Sequence, residues 1–391
     1  MNSRLSQSSY YAENNLTPSR SSIEDPSIFQ RHWQIRTHLY QDLLAVPLAF
    51  LQGKSVLEIG CGTGEAAIVP AILGADMTLI DANCTVESRI DNLFDYFEIK
   101  QRIRSKFFQP FEEYNTPENF SMITAEGFLF TLANRDQLLR KICSLLAKGG
   151  IAVVSFPDRF GSFFEFIKKT VLWRVYQISK IDDIHSLAAL DLAHQLFLKN
   201  FETLSSTRNF ETWWMDCLVS PFLTWNDCWA YDEILQIVSS ENCIFHASTP
   251  RIYEPPHLTW YKQVQSPEEQ LQAVLTSYGS RKFDLMFGNA LQIKASGDVE
   301  KLSSEFSNLI RQLSYYFQTL KNPFPPVNFP TIANLAQKCG ILDPVLDELV
   351  VLFNTLPSED AKKIISTYNE LCLVNKRWGC SYQYLAFRKN F

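Results

Sequence analysis

A short apolar run followed by three alternating glycines is the stretch of this sequence whose residue types and spacing can do chemistry. It begins at Val56 and has the pattern Glu58-x-Gly60-x-Gly62-x-Gly64. The apolar run predicts a buried strand, and the glycines predict a turn into a helix. Glycine permits positive φ and, having no Cβ, lets a ligand approach the backbone. Together these elements predict a ligand-binding cradle at the carboxyl end of a sheet.

The glycine spacing separates two kinds of cofactor that use such a cradle. A dinucleotide site has G-x-G-x-x-G, in which the third glycine allows close packing of helix and strand. Here Glu65 stands at that third position, and Gly64 comes one residue early. The observed pattern resembles motif I of the class I S-adenosylmethionine (SAM)-dependent methyltransferases, in which an acid precedes the glycines. The alternative is an ordinary βα turn without a ligand, and the acid with three glycines at this spacing argues against it.

A second acid follows the next predicted strand. Residues 77–80 predict that strand, and Asp81 stands at its end. In nucleotide-binding βαβ units an acid about 20 residues after the glycines binds the ribose hydroxyls. A helix N-cap is the alternative role for Asp81. Ala82 follows it, and its small side chain leaves room for the edge of an adenine.

The resemblance implies that SAM is the cofactor and that its contacts come from the turn and from the ends of the strands. The implied cofactor-binding residues are Glu58, Gly60, Cys61, Gly62, Gly64, Asp81, Ala82, Phe108, Gln109 and Glu126. Residues 105–108 predict the third strand, and the family often places an adenine contact just beyond it, which indicates Phe108, Gln109 or Phe111. Glu126 follows the fourth strand and is either a substrate or cofactor contact or an acid favoured at a helix N-terminus. Ser121 departs from the family pattern, which usually has Asp there.

Basic side chains supply the remaining candidates. His32 and Arg36 lie one helical turn apart before the first strand and could reach the methionine carboxylate of the cofactor; a solvated helix face is the alternative. A hydroxyl acceptor needs a base to take its proton, and His185 and His194 are the candidate catalytic residues. The nine cysteines are scattered without a C-x-x-C pair, so we predict no metal site.

The elements that must position these residues alternate between strand and helix, which predicts a parallel sheet covered on both faces. Lys148-Gly149-Gly150 predicts a turn into the fifth strand and resembles a late motif of the same family. Residues 243–248 and 258–262 predict the antiparallel pair that completes the sheet. The predicted fold is α/β: a Rossmann-like, doubly wound, seven-stranded methyltransferase sheet with a helical N-terminal cap, a helical insertion after the fifth strand and an α-helical C-terminal domain.

The predicted domains follow from these elements. They are a flexible tail at 1–27, a helical cap at 28–54, a methyltransferase core at 55–264 with a helical substrate insertion at about 160–240, and a helical accessory domain at 265–391. Residues 381–387 alternate like a strand, which we place at an edge. Within the insertion, the adjacent Trp213 and Trp214 cannot both face inward from one helix, so we expect at least one to be partly exposed or at a packing seam.

The composition narrows the class of protein. The net charge of −6 and the pI near 5.6 argue against a protein that mainly holds a phosphate backbone. No apolar run is long enough to span a bilayer, and the N-terminus has no signal-peptide core. Scattered cysteines fit a reducing compartment, so we expect a cytoplasmic protein.

The function predicted from these features is SAM-dependent methylation of a small-molecule or biosynthetic-intermediate acceptor on oxygen or nitrogen. The Asn/Asp-Pro-Pro-Tyr/Phe signature of enzymes that methylate amino groups of nucleic acids and glutamine side chains of proteins is absent, because residues 124–127 read Thr-Ala-Glu-Gly. The alternatives are a protein methyltransferase that docks its target on the C-terminal helices, and a non-catalytic SAM-binding scaffold. We expect no nucleic-acid or membrane partner, and a homodimer is compatible with the sequence.

Overall fold

The chain forms two compact units, each built from more than one segment. The computed structural model describes residues 9–10, 13, 26–204, 209–254, 260, 262, 264–288 and 297–391. Unit 1 contains Met1–Phe156, Trp229–Tyr278 and Gln383–Phe391, and unit 2 contains Pro157–Cys228 and Gly279–Tyr382. This division differs from the domains predicted from the sequence, because residues of the insertion and of the C-terminal helices share one apolar core in unit 2.

Seven strands of the described residues form one sheet, which lies almost wholly in unit 1. They are β1 Ser55–Ile59, β2 Asp76–Asp81, β3 Ile103–Phe108, β4 Phe120–Ala125, β5 Leu146–Pro157, β6 Cys243–Thr249 and β7 Tyr382–Lys389. Their order across the sheet is β3-β2-β1-β4-β5-β7-β6. The predicted seven-stranded α/β fold is therefore confirmed.

Strands β1 to β5 are parallel, with β1 paired to β2 and β4, β2 to β3, and β4 to β5. The last four residues of β1 are all buried, as expected for a strand covered on both faces of the sheet. Because the carboxyl ends of parallel strands meet at one edge, the residues that follow β1, β2, β3 and β4 lie at the same edge. This is the edge at which the sequence places the cofactor.

Helices connect the parallel strands and build the rest of the chain. They are α1 Pro26–Thr37, α2 Glu65–Ile72, α3 Glu87–Tyr96, α4 Arg135–Leu145, α5 Phe163–Ile178, α6 Leu187–Ala193, α7 Lys199–Phe201, α8 Phe210–Trp213, α9 Tyr231–Ser240, α10 Pro267–Arg281, α11 Asp284–Phe287, α12 Gly297–Tyr316, α13 Phe329–Lys338, α14 Val345–Thr355 and α15 Ala361–Glu370. The predicted N-terminal cap consists of α1, a π-helical turn at His38–Leu43 and a 3₁₀ turn at Leu48–Leu51. Within the described ranges, no helix combines the length and the apolar character needed to cross a bilayer.

The Lys-Gly-Gly segment lies inside β5, so the prediction of a turn before the strand is wrong. Strand β5 begins at Leu146, and its register with β4 shifts between Phe120 and Met122. Gly149 has a φ of +73°, and a Cβ at Gly150 would lie 2.9 Å from two backbone carbonyl oxygens. The two glycines therefore form a bulge in a continuous strand, which a glycine pair indicates as readily as a turn.

The last strand of the chain is an inner strand of the sheet. The sequence predicts the partner of β6 at 258–262, of which residues 258, 259 and 261 lie outside the described residues. The observed partner is β7, which pairs antiparallel with β6 and lies between β5 and β6. The prediction of an edge strand at 381–387 is therefore wrong, because side-chain alternation identifies a strand but not its neighbours.

Two adjacent tryptophans of unit 2 are both buried, so the partial exposure expected as one alternative is not observed. Trp213 is 9% exposed and Trp214 is 3% exposed. Trp213 ends α8, and Trp214 begins a π-helical segment that runs to Val219. The change of winding and a core that surrounds the segment let both rings face apolar neighbours.

Candidate active site

The three glycines between β1 and α2 have positive φ angles of +70° at Gly60, +52° at Gly62 and +91° at Gly64. Such angles favour glycine. A Cβ added at Gly62 would meet no described atom within 4 Å, whereas one at Gly60 would lie 2.6 Å from the ring of Phe128. The turn therefore leaves open space beside Gly62 that a side chain would fill. This cradle fits a cofactor that approaches the backbone closely.

Asp81 at the end of β2 holds the glycine turn. The backbone N–H of Gly62 donates to its Oδ2 at 2.8 Å, and that of Asn83 donates to its Oδ1 at 2.8 Å. Burial raises the pKa of Asp81, and the two backbone hydrogen bonds oppose that rise. Each oxygen keeps a lone pair for a ligand hydroxyl. The alternative role as a helix cap falls to Asn83, whose side chain accepts from the backbone of Thr85.

Helix α1 brings a buried arginine to the end of β4. Arg36 is 6% exposed, and its Nη1 and Nη2 donate to the two oxygens of Glu126 at 2.7 and 2.6 Å. Nη2 also donates to the hydroxyl of Tyr40. Burial is the largest single influence and lowers the pKa of Arg36, but the charge and hydrogen bonds of Glu126, together with Tyr40 and Tyr384, outweigh it, and the net shift is upward. The arginine therefore does not lie on a solvated helix face. Glu126 forms an ion pair with Arg36 and lies before the next helix begins.

His32 connects the same helix to the end of the glycine turn by a hydrogen bond. Its Nε2 lies 2.9 Å from the backbone carbonyl oxygen of Glu65, and it donates because a carbonyl can only accept. Burial lowers the pKa of His32 despite that hydrogen bond. The ring is therefore neutral at pH 7 and acts as a hydrogen-bond donor to the first turn of α2.

Glu58 lies in the middle of the sheet and is 5% exposed. It stands in register with Thr124 of β4, whose buried hydroxyl has no hydrogen-bond partner in the part of the chain that the structure describes. Burial, and next the charge of Glu126, raise the pKa of Glu58 to about 8. Burial also raises the pKa of the neighbouring Cys61 thiol, so it is no thiolate nucleophile.

The residues predicted to surround the adenine lie at the ends of β2 and β3. Phe108 pairs in register with Asp81, and both it and Gln109 are half-buried. Ala82 is exposed beside them. The structure thus brings these three residues to the edge where the glycine turn lies, while their contact with adenine stays a prediction.

The two candidate bases belong to unit 2. The ring of His185 lies 6.5 Å from that of Trp214, and the ring of His194 lies 4.7 Å from that of Phe210. The backbone N–H of His185 donates to Asp183. Their assignment as catalytic bases stays a prediction.

Sequence reasoning missed several side chains at the cofactor edge. These are Tyr40, Thr124, Phe128 and Tyr384. Tyr40 stands four residues after Arg36, and this helical spacing could have indicated it. The other three come from distant parts of the chain, and no local pattern marks them.

A sheet of this order, with a glycine turn after β1 and a carboxylate after β2, defines a class I SAM-dependent methyltransferase. The cofactor supplies an electrophilic methyl group on its sulfonium when bound. A family model described as "Methyltransferase domain" matches residues 31–227, which is half of the chain. The protein belongs to this methyltransferase family.

Individual relatives share parts of the chain. The mouse protein N-lysine methyltransferase METTL21A is 26% identical over 147 residues, which cover 37% of this chain and 65%, less than two thirds, of the mouse protein. The N-methyltransferase NodS of Bradyrhizobium japonicum WM9, solved with S-adenosylhomocysteine (SAH), is 17% identical with a TM-score of 0.30, over 38% of this chain and 73% of its own. The CcbJ methyltransferase of Streptomyces caelestis is 20% identical with a TM-score of 0.27, over 32% and 56% of the two chains.

Proposed function

We propose that this methyltransferase acts on a small-molecule or biosynthetic-intermediate acceptor and methylates an oxygen or a nitrogen. One observation carries the choice: both carboxylate oxygens of Glu126, at the end of β4, accept hydrogen bonds from Arg36. A lysine ammonium entering a buried site needs a carboxylate partner. The carboxylate of Glu126 is already neutralised by an arginine that donates two charge-assisted hydrogen bonds to it, which favours a neutral acceptor at the end of β4.

The chain's own residues have distinct parts in this proposal. The glycine turn admits the cofactor, and Asp81 accepts hydrogen bonds from its ribose while it holds the N–H of Gly62. The Arg36–Glu126 pair and His32 fix the cap helix beside the turn. Transfer is an in-line displacement, so positioning of the acceptor supplies most of the rate. For a hydroxyl acceptor, His185 or His194 takes the proton.

Methylation of a protein lysine is the second candidate. The mouse relative is a protein N-lysine methyltransferase by its name, and the match covers 37% of this chain. In this alternative the helices after residue 265 dock the target protein.

A transfer assay separates the two candidates. The protein is incubated with SAM carrying a labelled methyl group and with an extract split by ultrafiltration into small molecules and macromolecules. We expect SAH formation and label in the small-molecule fraction, and neither with the Gly62→Val variant. Label confined to protein would overturn the proposal in favour of the second candidate.

A further inference from the structure

Glu58 is a buried carboxyl group without a dedicated counter-charge. It lies in β1 between Leu79 of β2 and Thr124 of β4, and none of the described residues donates a hydrogen bond to its carboxyl oxygens. A buried carboxylate normally has hydrogen-bond donors or a cation beside it. An isolated one stays protonated instead, and it will ionise when a positive charge arrives.

The groups that face Glu58 come from every element around it, and most of them are acidic. They are Arg36 of α1, Tyr40 of the π-helical turn, Cys61 and Glu65 of the glycine turn and α2, Asp81 of β2 and Glu126 after β4. The guanidinium of Arg36 is the cation among them, and both of its Nη groups are already bound to Glu126. The surroundings therefore disfavour a further negative charge as long as no ligand adds a positive one.

We propose that Glu58 gives up a proton to solvent when the cofactor binds, because SAM brings the counter-charge that the chain itself does not provide. SAM carries a sulfonium, an ammonium and a carboxylate, and thus one net positive charge. Glu58 then remains ionised against it. The protein's affinity for its cofactor is in this way coupled to the protonation state of one carboxyl group.

The sign of the pH dependence follows from this linkage. The free protein binds a proton at Glu58 below pH 8, and the SAM complex does not, so protons compete with SAM. The affinity for SAM should rise toward tenfold per pH unit between pH 6 and about pH 7.5, below the range in which the α-ammonium of SAM loses its own proton. The product SAH lacks the sulfonium charge, so its binding should release a smaller fraction of a proton.

Calorimetric titration with SAM at pH 7 in phosphate and in Tris measures the released proton directly, because the two buffers differ in ionisation enthalpy. About nine in ten molecules carry the proton at pH 7 when the pKa is about 8, so nearly one proton should be released per SAM bound. His32 does not account for it, because its pKa is lowered and its ring is already neutral.

Two variants assign the proton. Glu58→Gln keeps the shape of the side chain and should abolish the buffer dependence. Glu165 is a matched control, since burial raises its pKa to about 8 as well but it lies in unit 2; Glu165→Gln should release the proton as the wild type does. Thermal unfolding confirms that both variants are folded.

The inference depends on the cofactor and not on the acceptor, so it survives if the proposed substrate class fails. Equal heats in the two buffers with the wild type would overturn it, and so would an undiminished proton release in Glu58→Gln. A wild-type protein that did not bind SAM would overturn it together with the cofactor assignment.

Discussion

Substitution of Gly62 tests whether the open space beside the turn is the cofactor site. The structure offers a matched control in Gly53, which precedes β1 at the opposite end of the strand. Gly53 has a φ of +66°, Gly62 has +52°, and a Cβ at either would meet no described atom within 4 Å. Alanine at both positions therefore introduces the same backbone strain and no clash within the chain.

The two variants should lose similar stability and differ in affinity. A positive φ costs alanine about 1–2 kcal/mol, which lowers the melting temperature of a unit of this size by about 2–8 °C in each case. At Gly62 the added methyl group also enters the space that the cofactor needs. An overpacked contact costs about 1–3 kcal/mol, so SAM should bind roughly 5- to 150-fold more weakly.

Calorimetric titration with SAM and thermal unfolding of both variants give the two quantities. We expect Gly53→Ala to bind SAM as the wild type does, Gly62→Ala to bind it more weakly, and Gly62→Val not to bind it measurably while remaining folded. If Gly62→Ala bound SAM as tightly as Gly53→Ala, the turn would be a structural feature only and the reasoning about the cradle would be refuted.

Three further predictions concern the charged groups around the turn. Asp81→Ala should weaken SAM binding by about 1–3 kcal/mol, the scale of a lost charged hydrogen bond, and unchanged affinity would remove Asp81 from the site. Glu126→Gln leaves the Arg36 cation buried without its counter-ion and should lower the free energy of unfolding by about 3–5 kcal/mol in urea titrations. Replacing both partners, by Leu and Met, should lower it less. Equal losses in the single and the double variant would show that the pair is solvated. Because the folded state raises the pKa of Glu58, its contribution to wild-type stability falls as pH rises from about 4.5 to 8. Glu58→Gln should therefore melt like the wild type near pH 5 and, at higher pH, gain up to about 1.4 kcal/mol of stability per pH unit relative to the wild type. Parallel plots of stability against pH for the two proteins would contradict a buried, protonated carboxyl group.

The glycine turn and Asp81 could be predicted from the sequence because both depend on spacing within one βα unit. The strand, the turn and the next strand end are fixed by a few residues, so the chemistry is visible in a short stretch. Strands β1, β2 and β5 could be predicted in the same way, since each contains a short run of mostly apolar residues. Features that depend only on residues close together in the sequence can therefore be predicted from the sequence alone.

The ion pair at the cap could not be predicted in this way. Helical spacing placed Arg36 on a face of α1 and left the cofactor carboxylate or solvent as its partner, but the observed partner is Glu126, which is 90 residues away in sequence. The prediction of an edge position for β7 was wrong for the same reason, because alternation specifies the faces of a strand and not its neighbours. Long-range pairing is decided by the whole fold.

The position of β7 has a consequence for the order in which the protein can fold during synthesis. Strand β5 must wait for its hydrogen-bonding neighbour until the ribosome has made residues 158–381, which takes roughly 10–45 s at about 5–20 residues per second. During that interval the nascent sheet ends in a long, apolar, unpaired strand, the kind of edge that recruits other chains. We therefore expect the growing polypeptide to rely on chaperones, and slower translation beyond residue 157 to increase its aggregation.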